Sequence, residues 1–194
     1  MIAAYARWES RKPILRKARR RTILSFMPII RKEYYGDKEA IRFVHEQASS
    51  HSAEADLVDA LRTTGQTTLS LVAEDSRVVV GHILFTPVSV DGCTLELAAL
   101  GPVAVLPRMR QHGIGTLLVR TGIYICEEMG VKALLVQGHP DYYMRFGFVP
   151  AFHFGLVPSG KPDPDEAFMA LELKVGSLEG AAGTVRFAEA FDLA

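Results

Sequence analysis

The sequence predicts a single-domain α/β protein built around one mixed sheet. Short β-rich runs alternate with amphipathic helical segments, in the order β-α-α-β-β-β-α-β-α-β-β. One apolar run is long enough for a strand that is buried on both faces. The chain has 194 residues, which suffice for one core of good size but are short for two.

The first half of the chain reads as one strand, two helices and a hairpin. Residues 28–31 have the pattern of a short strand, and Asp37 suits the cap of a helix whose apolar residues recur at helical spacing. A second helix is predicted over residues 53–63. Two β-rich runs, residues 68–73 and 78–85, are separated by four polar residues and predict a hairpin.

The second half begins with an apolar run over residues 95–105, which predicts a buried strand. From Gly113 onward, apolar residues spaced by three and four predict an amphipathic helix that ends at Met129 and Gly130. A brief helix is predicted after Pro140. Further strands are predicted over residues 133–136, 148–154 and 167–173, with a polar, proline-rich loop at residues 158–166.

The charge distribution separates residues 1–26 from the rest of the chain. This segment carries eight Lys or Arg and one Glu, whereas the remaining residues have a net charge of −7. Such a segment suits an arm for RNA or for an anionic membrane surface, or an organelle transit peptide. We favour a basic extension that is disordered or not native, with translation beginning at Met27 in the latter case, outside a domain formed by residues 27–194. Met27 directly precedes the first predicted strand, and residues 11–21 contain no aromatic residue for base stacking.

Deletion of residues 1–26 is expected to leave the activity and the melting temperature of the protein unchanged. The reason is that the predicted elements, and therefore the predicted core, all lie C-terminal to this segment. The full chain and the shortened chain would be compared in one activity assay and by thermal unfolding. A large loss of either quantity would show that the basic segment belongs to the domain.

Composition and length exclude several classes of protein. Hydrophobic residues make up 48% of the chain and charged residues 23%, as in a soluble globular domain. No apolar run approaches the roughly 20 residues that a membrane-spanning helix needs, so we expect a cytoplasmic protein with no membrane partner. Cys93 and Cys126 are too few for a disulfide framework and lack the spacing of a zinc site. We expect both to be buried and no metal to be bound.

The most informative segment, residues 101–115, joins the buried strand to the long helix through a basic loop with two glycines. The first N–H groups of a helix lack internal partners, and the helix dipole places partial positive charge there. Gly113 and Gly115 would let a diphosphate approach the backbone without a Cβ in the way. Arg108 and Arg110 add positive charge. The segment therefore predicts a pyrophosphate site, an arrangement that dinucleotide and ATP sites share.

Two signatures distinguish these classes of site. The dinucleotide signature G-x-G-x-x-G is incomplete, since residue 118 is leucine, and the P-loop signature is absent. Residues 110–115 instead resemble the cofactor motif [QR]-x-x-G-x-[GA] of the GNAT acetyltransferases. The resemblance implies that loop amides hold the pyrophosphate of acetyl-CoA and that the preceding strand pairs with the pantetheine arm. The cofactor-binding residues it implies are Val103, Ala104, Val105, Arg110, Gln111, His112, Gly113, Ile114, Gly115 and Thr116.

The resemblance covers residues 28–190 and implies the GNAT fold. This fold has a mixed, mostly antiparallel sheet that is flanked by helices and splayed at the fourth and fifth strands. Pro102 supports the splay, because a proline inside a central strand indicates a bulge or broken pairing. The chain also resembles one bacterial branch, the YhbS-like predicted acetyltransferases. Members of that branch often have Asp where this chain has His139, and Gln where it has Arg110.

A second motif lies about 30 residues after the first. Residues 143–148 read Tyr-Met-Arg-Phe-Gly-Phe and resemble the Y-x-[KR]-x-G-F motif of the same family. The resemblance implies that Tyr143 is the general acid that protonates the departing CoA thiolate. A phenol has an ordinary pKa of about 10, and a well-placed hydroxyl suffices for this transfer. Tyr142 points elsewhere on a helix and is interpreted as a packing or substrate contact.

The expected reaction is direct attack of a neutral amine on the acetyl thioester, with no acyl-enzyme, because no cysteine is placed as a nucleophile. The amine must first lose a proton, and Glu96 on the fourth strand is our candidate base, with His139 as a second. The other histidines have no ligand spacing and are interpreted as structural or surface residues; they are His45, His51, His82 and His153.

Two other functions remain open at this stage. One is a CoA-responsive binding module that has the fold but no turnover, and the other is an RNA-associated protein that uses the basic arm. The acceptor is a small-molecule or peptide amine that the sequence does not identify further. The oligomeric state is also open, and a homodimer remains one of the choices.

Overall fold

The computed structural model describes residues 28–49, 52–160 and 165–193. The predicted basic extension, residues 1–26, lies outside the described residues, and its deletion stays a prediction. Met27 also lies outside them. The described residues form the single mixed α/β sheet with flanking helices that the sequence predicts.

The elements occur in nearly the predicted order. The helices are α1 (Lys38–Ala48), α2 (Ala53–Thr63), α3 (Ile114–Glu128) and α4 (Pro140–Tyr143). The strands are β1 (Ile29–Lys32), β2 (Leu69–Asp75), β3 (Val78–Val90), β4 (Cys93–Val105), β5 (Ala133–Gln137), β6 (Val149–Pro150), β7 (Leu156–Pro158), β8 (Phe168–Glu172) and β9 (Gly183–Arg186).

The sheet is mostly antiparallel. Its main path runs β1-β2-β3-β4-β5-β8-β6, and β9 pairs with the far end of β3 and with β7. Among the described strands, only the β4–β5 and β7–β9 pairs are parallel. The β4–β5 pairing covers only residues 97–99 of β4, although β4 continues to Val105. The predicted splay between these two strands is therefore confirmed.

The predicted irregularity at Pro102 is a β-bulge. Phe85 pairs with Leu100 and Ile83 pairs with Val103, so one residue of β3 faces two residues of β4, namely Gly101 and Pro102. A bulge bends its strand and increases the local twist. Here it lies at the point where β4 has separated from β5, and it turns the last three residues of β4 away from that neighbour.

The helices cover both faces of the sheet. A Cβ added at Gly81 of β3 would lie 3.1 Å from the side chains of Ile114 and Leu118, so α3 packs on this face. His82, the next residue of β3, points to the opposite face and contacts His45 of α1. Successive strand residues alternate between faces, so this pair of neighbours separates the α3 layer from the α1 layer.

Three local predictions differ from the structure. The predicted strand over residues 148–154 is only two residues long and continues as a 3₁₀ turn at Ala151–Phe154, since Pro150 has no N–H to extend the ladder. Strand β3 runs to Val90 instead of ending at residue 85. Asp37 stands at the start of α1 without capping it: its carboxylate accepts from the Tyr34 N–H at 2.7 Å and from Arg31 at 2.6 Å.

Candidate active site

A groove of about 560 Å³ opens between the last residues of β4, the start of α3 and the ends of α1 and α2. Nine of the ten residues predicted to bind the cofactor line it: Val103, Ala104, Val105, Arg110, Gln111, Gly113, Ile114, Gly115 and Thr116. The tenth, His112, is exposed on the loop, and its Nδ1 donates to the Arg110 carbonyl oxygen at 2.8 Å. The structure thus brings the end of β4, residues 103–105, and the loop and helix start, residues 110–116, to the same groove.

The loop before α3 presents backbone donors to the groove. Gln111 and Gly113 have φ angles of 65° and 79°, in the left-handed region. The first bond inside the helix runs from the Leu117 N–H to the Gly113 carbonyl oxygen at 2.9 Å, so the N–H groups that precede Leu117 have no partner within the helix. With the helix dipole, these donors form an anion site that needs no charged side chain.

Arg110 connects the loop before α3 to α1 through a hydrogen bond. Its Nη2 donates to the carbonyl oxygen of Ala48, the last residue of α1, at 2.6 Å. Ala48 itself lines the groove. The bond closes the groove on one side and fixes the loop against the helix opposite.

Tyr142 and Arg145 also line the groove. The Arg145 guanidinium carbon lies 4.5 Å from the centre of the Tyr142 ring, and its Nε donates to the Tyr142 carbonyl oxygen at 3.2 Å. A Cβ added at Gly115 would lie 2.9 Å from the Tyr142 hydroxyl oxygen. Arg145 was missed as a site residue, although its place in the second motif, two residues after Tyr143, was a usable signal.

Tyr143 lies deeper than Tyr142 and does not line the groove. Its side chain is buried, with its ring edge-on to those of Phe148 and Tyr142 at 5.6 and 5.0 Å. The ring also packs against Gly138, where a Cβ would approach it to 2.5 Å. Gly138 directly follows β5, beyond the last residue of that strand that pairs with β4. Burial raises the pKa of the Tyr143 phenol to about 12, so its hydroxyl stays protonated at neutral pH.

The two predicted candidate bases lie away from the groove. Glu96 is exposed near the start of β4, where its carbonyl oxygen accepts from the Lys132 N–H at 2.8 Å. His139 is exposed at the start of α4. Neither residue lines the groove or the neighbouring pocket. The structure therefore does not bring Glu96 or His139 to the residues of the cofactor motif.

A second, mainly apolar pocket of about 320 Å³ adjoins the groove at the bulge. Leu100, Gly101 and Pro102 of β4 form its floor, and Phe187 and Phe191 from the end of the chain form part of its wall. Glu54 of α2 lines both this pocket and the groove. No motif or spacing marked Glu54, which lies on the polar side of a predicted helix more than 40 residues before the bulge.

Two further observations on the described residues concern metal ligation and the reactivity of a cysteine. They contain no group of three or more His, Cys, Asp or Glu side chains that could hold a metal ion. Cys126 is fully buried in α3, and burial raises the pKa of its thiol to about 12, which makes it a poor nucleophile. In the same part of the chain, no helix is long and apolar enough to cross a membrane.

Comparison with known proteins identifies the family. The sequence profile of the acetyltransferase (GNAT) family matches residues 26–148. The chain is 35% identical over 165 residues to the uncharacterized N-acetyltransferase YhbS of Escherichia coli K12, which covers 84% of this chain and 98% of YhbS. It is 38% identical over 134 residues to the uncharacterized N-acetyltransferase YjhQ of the same strain, covering 67% and 74% of the two chains. The chain belongs to the GNAT family.

Solved structures of similar proteins share the fold and hold the cofactor. Escherichia coli YhbS in complex with CoA superposes with a TM-score of 0.83 at 34% identity, covering 87% of this chain and 93% of YhbS. A GNAT family acetyltransferase from Brucella melitensis in complex with acetyl-CoA gives a TM-score of 0.72 at 35% identity, covering 86% and 99%. The predicted family and its YhbS-like branch are therefore confirmed.

Proposed function

We propose that this protein transfers the acetyl group of acetyl-CoA to an amine by direct attack. The observation that carries the proposal is the groove at the start of α3, which is lined both by N–H groups without a partner inside the helix and by the last residues of a splayed strand. The arrangement matches a ligand with a diphosphate at one end and an amide-containing chain at the other. The similar proteins that were solved with CoA and acetyl-CoA support it.

In this proposal the pyrophosphate binds at residues 113–116 and the pantetheine arm runs along residues 103–105. Beyond residue 99, the edge of β4 that faces β5 pairs with no strand of the described residues, so its backbone groups are available to the amides of the arm. The same N–H groups would polarise the acetyl carbonyl as negative charge develops on its oxygen. Arg145 adds positive charge at the edge of the groove, next to the phosphates.

We propose Tyr143 as the acid for the departing thiolate. Its position against Gly138, beside the splay, supports this proposal, because we expect the thiol end of the arm to reach β4 from the side of β5. Its raised pKa keeps the proton on the phenol until the carbon–sulfur bond breaks. Tyr142, which lines the groove near Thr116, is assigned to cofactor contact.

We assign the second pocket to the acceptor. It adjoins the groove at Gly101 and Pro102, so an amine inside it approaches the thioester across the bulge. Its lining is mainly apolar, with the Glu54 carboxylate at the boundary with the groove. This composition suits an amine carried on an apolar or aromatic body, with the cationic nitrogen directed to Glu54.

The first test follows free CoA released from acetyl-CoA in the presence of a panel of amines, including small apolar amines and peptide N-termini. Turnover with at least one acceptor is expected. Replacing Tyr143 by phenylalanine should lower kcat by about 10² while leaving the affinity for acetyl-CoA unchanged, because only proton donation to the thiolate is removed.

Tyr124→Phe is the matched control, since Tyr124 is exposed on α3 away from the groove. Its kcat should equal that of the unchanged protein. If no amine releases CoA while acetyl-CoA still binds, the protein is a binding module without turnover. Turnover by the unchanged protein together with an inert Tyr143→Phe change would remove Tyr143 from the mechanism.

A further inference from the structure

A chain of polar side chains leads from the boundary of the two pockets into the core. Glu54 Oε2 lies 3.5 Å from Nδ1 of His45, and His45 Nε2 lies 2.8 Å from Nδ1 of His82. His82 Nε2 lies 2.9 Å from the Ser70 hydroxyl oxygen, and that hydroxyl donates to the Glu33 carboxylate. Both histidines are fully buried. The chain thus connects α2, α1, β3, β2 and the residue after β1.

The direction of every proton in this chain follows from its far end. The Ser70 hydroxyl gives its single hydrogen to Glu33, so its oxygen must accept from His82 Nε2. Burial, and then the charges of His45 and Arg62, hold the pKa of His82 well below its ordinary value, so this ring is neutral. A neutral His82 with a proton on Nε2 has a bare Nδ1, which accepts from His45 Nε2.

His45 is therefore held with its proton on Nε2 and with Nδ1 directed toward Glu54. At 3.5 Å, Nδ1 makes no hydrogen bond to the carboxylate, and no other described residue satisfies it. An unsatisfied buried polar atom costs about 1–3 kcal/mol. The unsatisfied atom, His45 Nδ1, lies at the end of the series of polar side chains that reaches the pockets.

We propose that Glu54 is the catalytic base that takes the proton of the acceptor amine, and that His45, oriented by His82, Ser70 and Glu33, receives this proton from Glu54. The proposal rests on the function proposed above. With acetyl-CoA in the groove and an amine in the second pocket, both spaces that Glu54 lines are filled, and the bare Nδ1 of His45 lies beside its carboxylate as a proton acceptor.

The protons balance over one turnover. An ammonium acceptor gives one proton to Glu54 and on to His45, and the neutral nitrogen attacks the carbonyl carbon. As the carbon–sulfur bond breaks, the thiolate takes a proton from Tyr143, and the second proton lost by the nitrogen restores that phenol. The products are the amide and CoA thiol, and the proton held by His45 and Glu54 leaves to water when the products depart.

Among the described residues, charged groups near His45 and Glu54 lie on α2 and on the loop before α3. On α2, Arg62 forms an ion pair with Glu33 at 2.8 Å, and Glu54 faces His45. Arg110, from the loop before α3, bonds to the end of α1. From β3, His82 faces His45. The pH at which the rate rises should therefore respond to Glu54 and to the histidine chain more than to other groups.

The kinetic test compares Glu54→Gln with the unchanged protein over pH 5.5–9.5. The variant should lose about 10²-fold in kcat near neutral pH, retain its KM for acetyl-CoA, and recover part of the rate at high pH, where solvent deprotonates the amine. Glu46→Gln on the exposed side of α1 is the control and should behave as the unchanged protein does.

A second measurement reads the histidine tautomers without any turnover. Nitrogen-15 NMR of histidine-labelled protein should show His45 and His82 both protonated at Nε2. Ser70→Ala should allow His82 to carry its proton on Nδ1, shift the pH–rate profile and lower kcat about 10-fold with KM for acetyl-CoA unchanged. Thr86→Val, which removes another buried hydroxyl from β3, should change neither the tautomers nor the rate.

The outcomes separate the two proposals. If no amine is acetylated by the unchanged protein, the proposed function fails and the tautomers alone decide whether the chain is ordered as described. If acetylation occurs but Glu54→Gln retains its kcat and pH profile, the base assignment is wrong. A His45 ring protonated on Nδ1 would contradict the proposed orientation directly.

Discussion

Replacing Gly113 by glutamate is expected to abolish acetyl-CoA binding while leaving the protein folded. Gly113 precedes the first residue of α3 with φ at 79°, where a residue with a side chain costs about 1–2 kcal/mol. The glutamate would also place a negative charge among the N–H groups assigned to the pyrophosphate. We expect the dissociation constant, measured by calorimetry, to rise at least about 100-fold, which corresponds to roughly 2.7 kcal/mol.

Gly65→Glu is the matched control for this variant. Gly65 follows α2 with φ at 70°, and a Cβ added there meets nothing within 4 Å, as is also true at Gly113. The two variants carry the same backbone strain and the same charge, but only one of them is at the groove. Equal losses of affinity in both, or none in Gly113→Glu, would contradict the pyrophosphate assignment.

The largest expected effect on stability comes from Gly122→Ala in α3. Alanine stabilises the interior of an exposed helix by about 1 kcal/mol relative to glycine. Here, however, the added Cβ would lie 2.2 Å from Cζ of Phe85, and that ring is fully buried under α3. Overpacking of such a site costs about 1–3 kcal/mol or more. We therefore expect a net loss of about 2 kcal/mol in the free energy of unfolding, measured by urea denaturation.

A double variant and a control locate the cause of this loss. Replacing Phe85 by the smaller leucine should lower the free energy of unfolding less in the Gly122→Ala background than in the unchanged protein, because residues 85 and 122 contact each other. Gly36→Ala is the control, since a Cβ there meets no atom within 4 Å. An unchanged or raised stability for Gly122→Ala would show that helix propensity outweighs the contact with Phe85.

The end of the site that we propose for the cofactor was predictable because its signals are local. The strand, the basic loop and the start of α3 are contiguous in the chain, and nine of the ten residues chosen from them line one groove. The bulge at Gly101 and Pro102 was equally local, since proline lacks the N–H that a ladder needs.

The end of the site that we propose for the acceptor was not predictable, because long-range contacts form it. Glu54 reaches the groove only because α2 packs beside the bulge, and no periodicity in α2 marks its polar face as a site. His45 and His82 are 37 residues apart and were interpreted as structural or surface residues, since single histidines on apolar elements have no recognisable spacing. Glu96 was predicted as the base because it lies on the fourth strand, but it is near the opposite end of that strand from Val105.

The small strands β7 and β9 were missed for a different reason. They are three and four residues long, and β9 gains its partners only at the far end of β3, which extends past Pro87 to Val90. Segments this short have too few residues to display a period of two, and pairing with distant strands decides their conformation.

The separation of β4 from β5 has a consequence for the resting protein. The backbone N–H and C=O groups at the end of β4 lack the hydrogen bonds that β5 would supply. The amides of the coenzyme arm can form such bonds, so the arm would act as a temporary additional strand. On this view the sheet is complete only in the loaded state. Acetyl-CoA at 100 times its dissociation constant would add about 2.7 kcal/mol to the free energy of unfolding. The stability of the protein therefore rises with the occupancy of the groove.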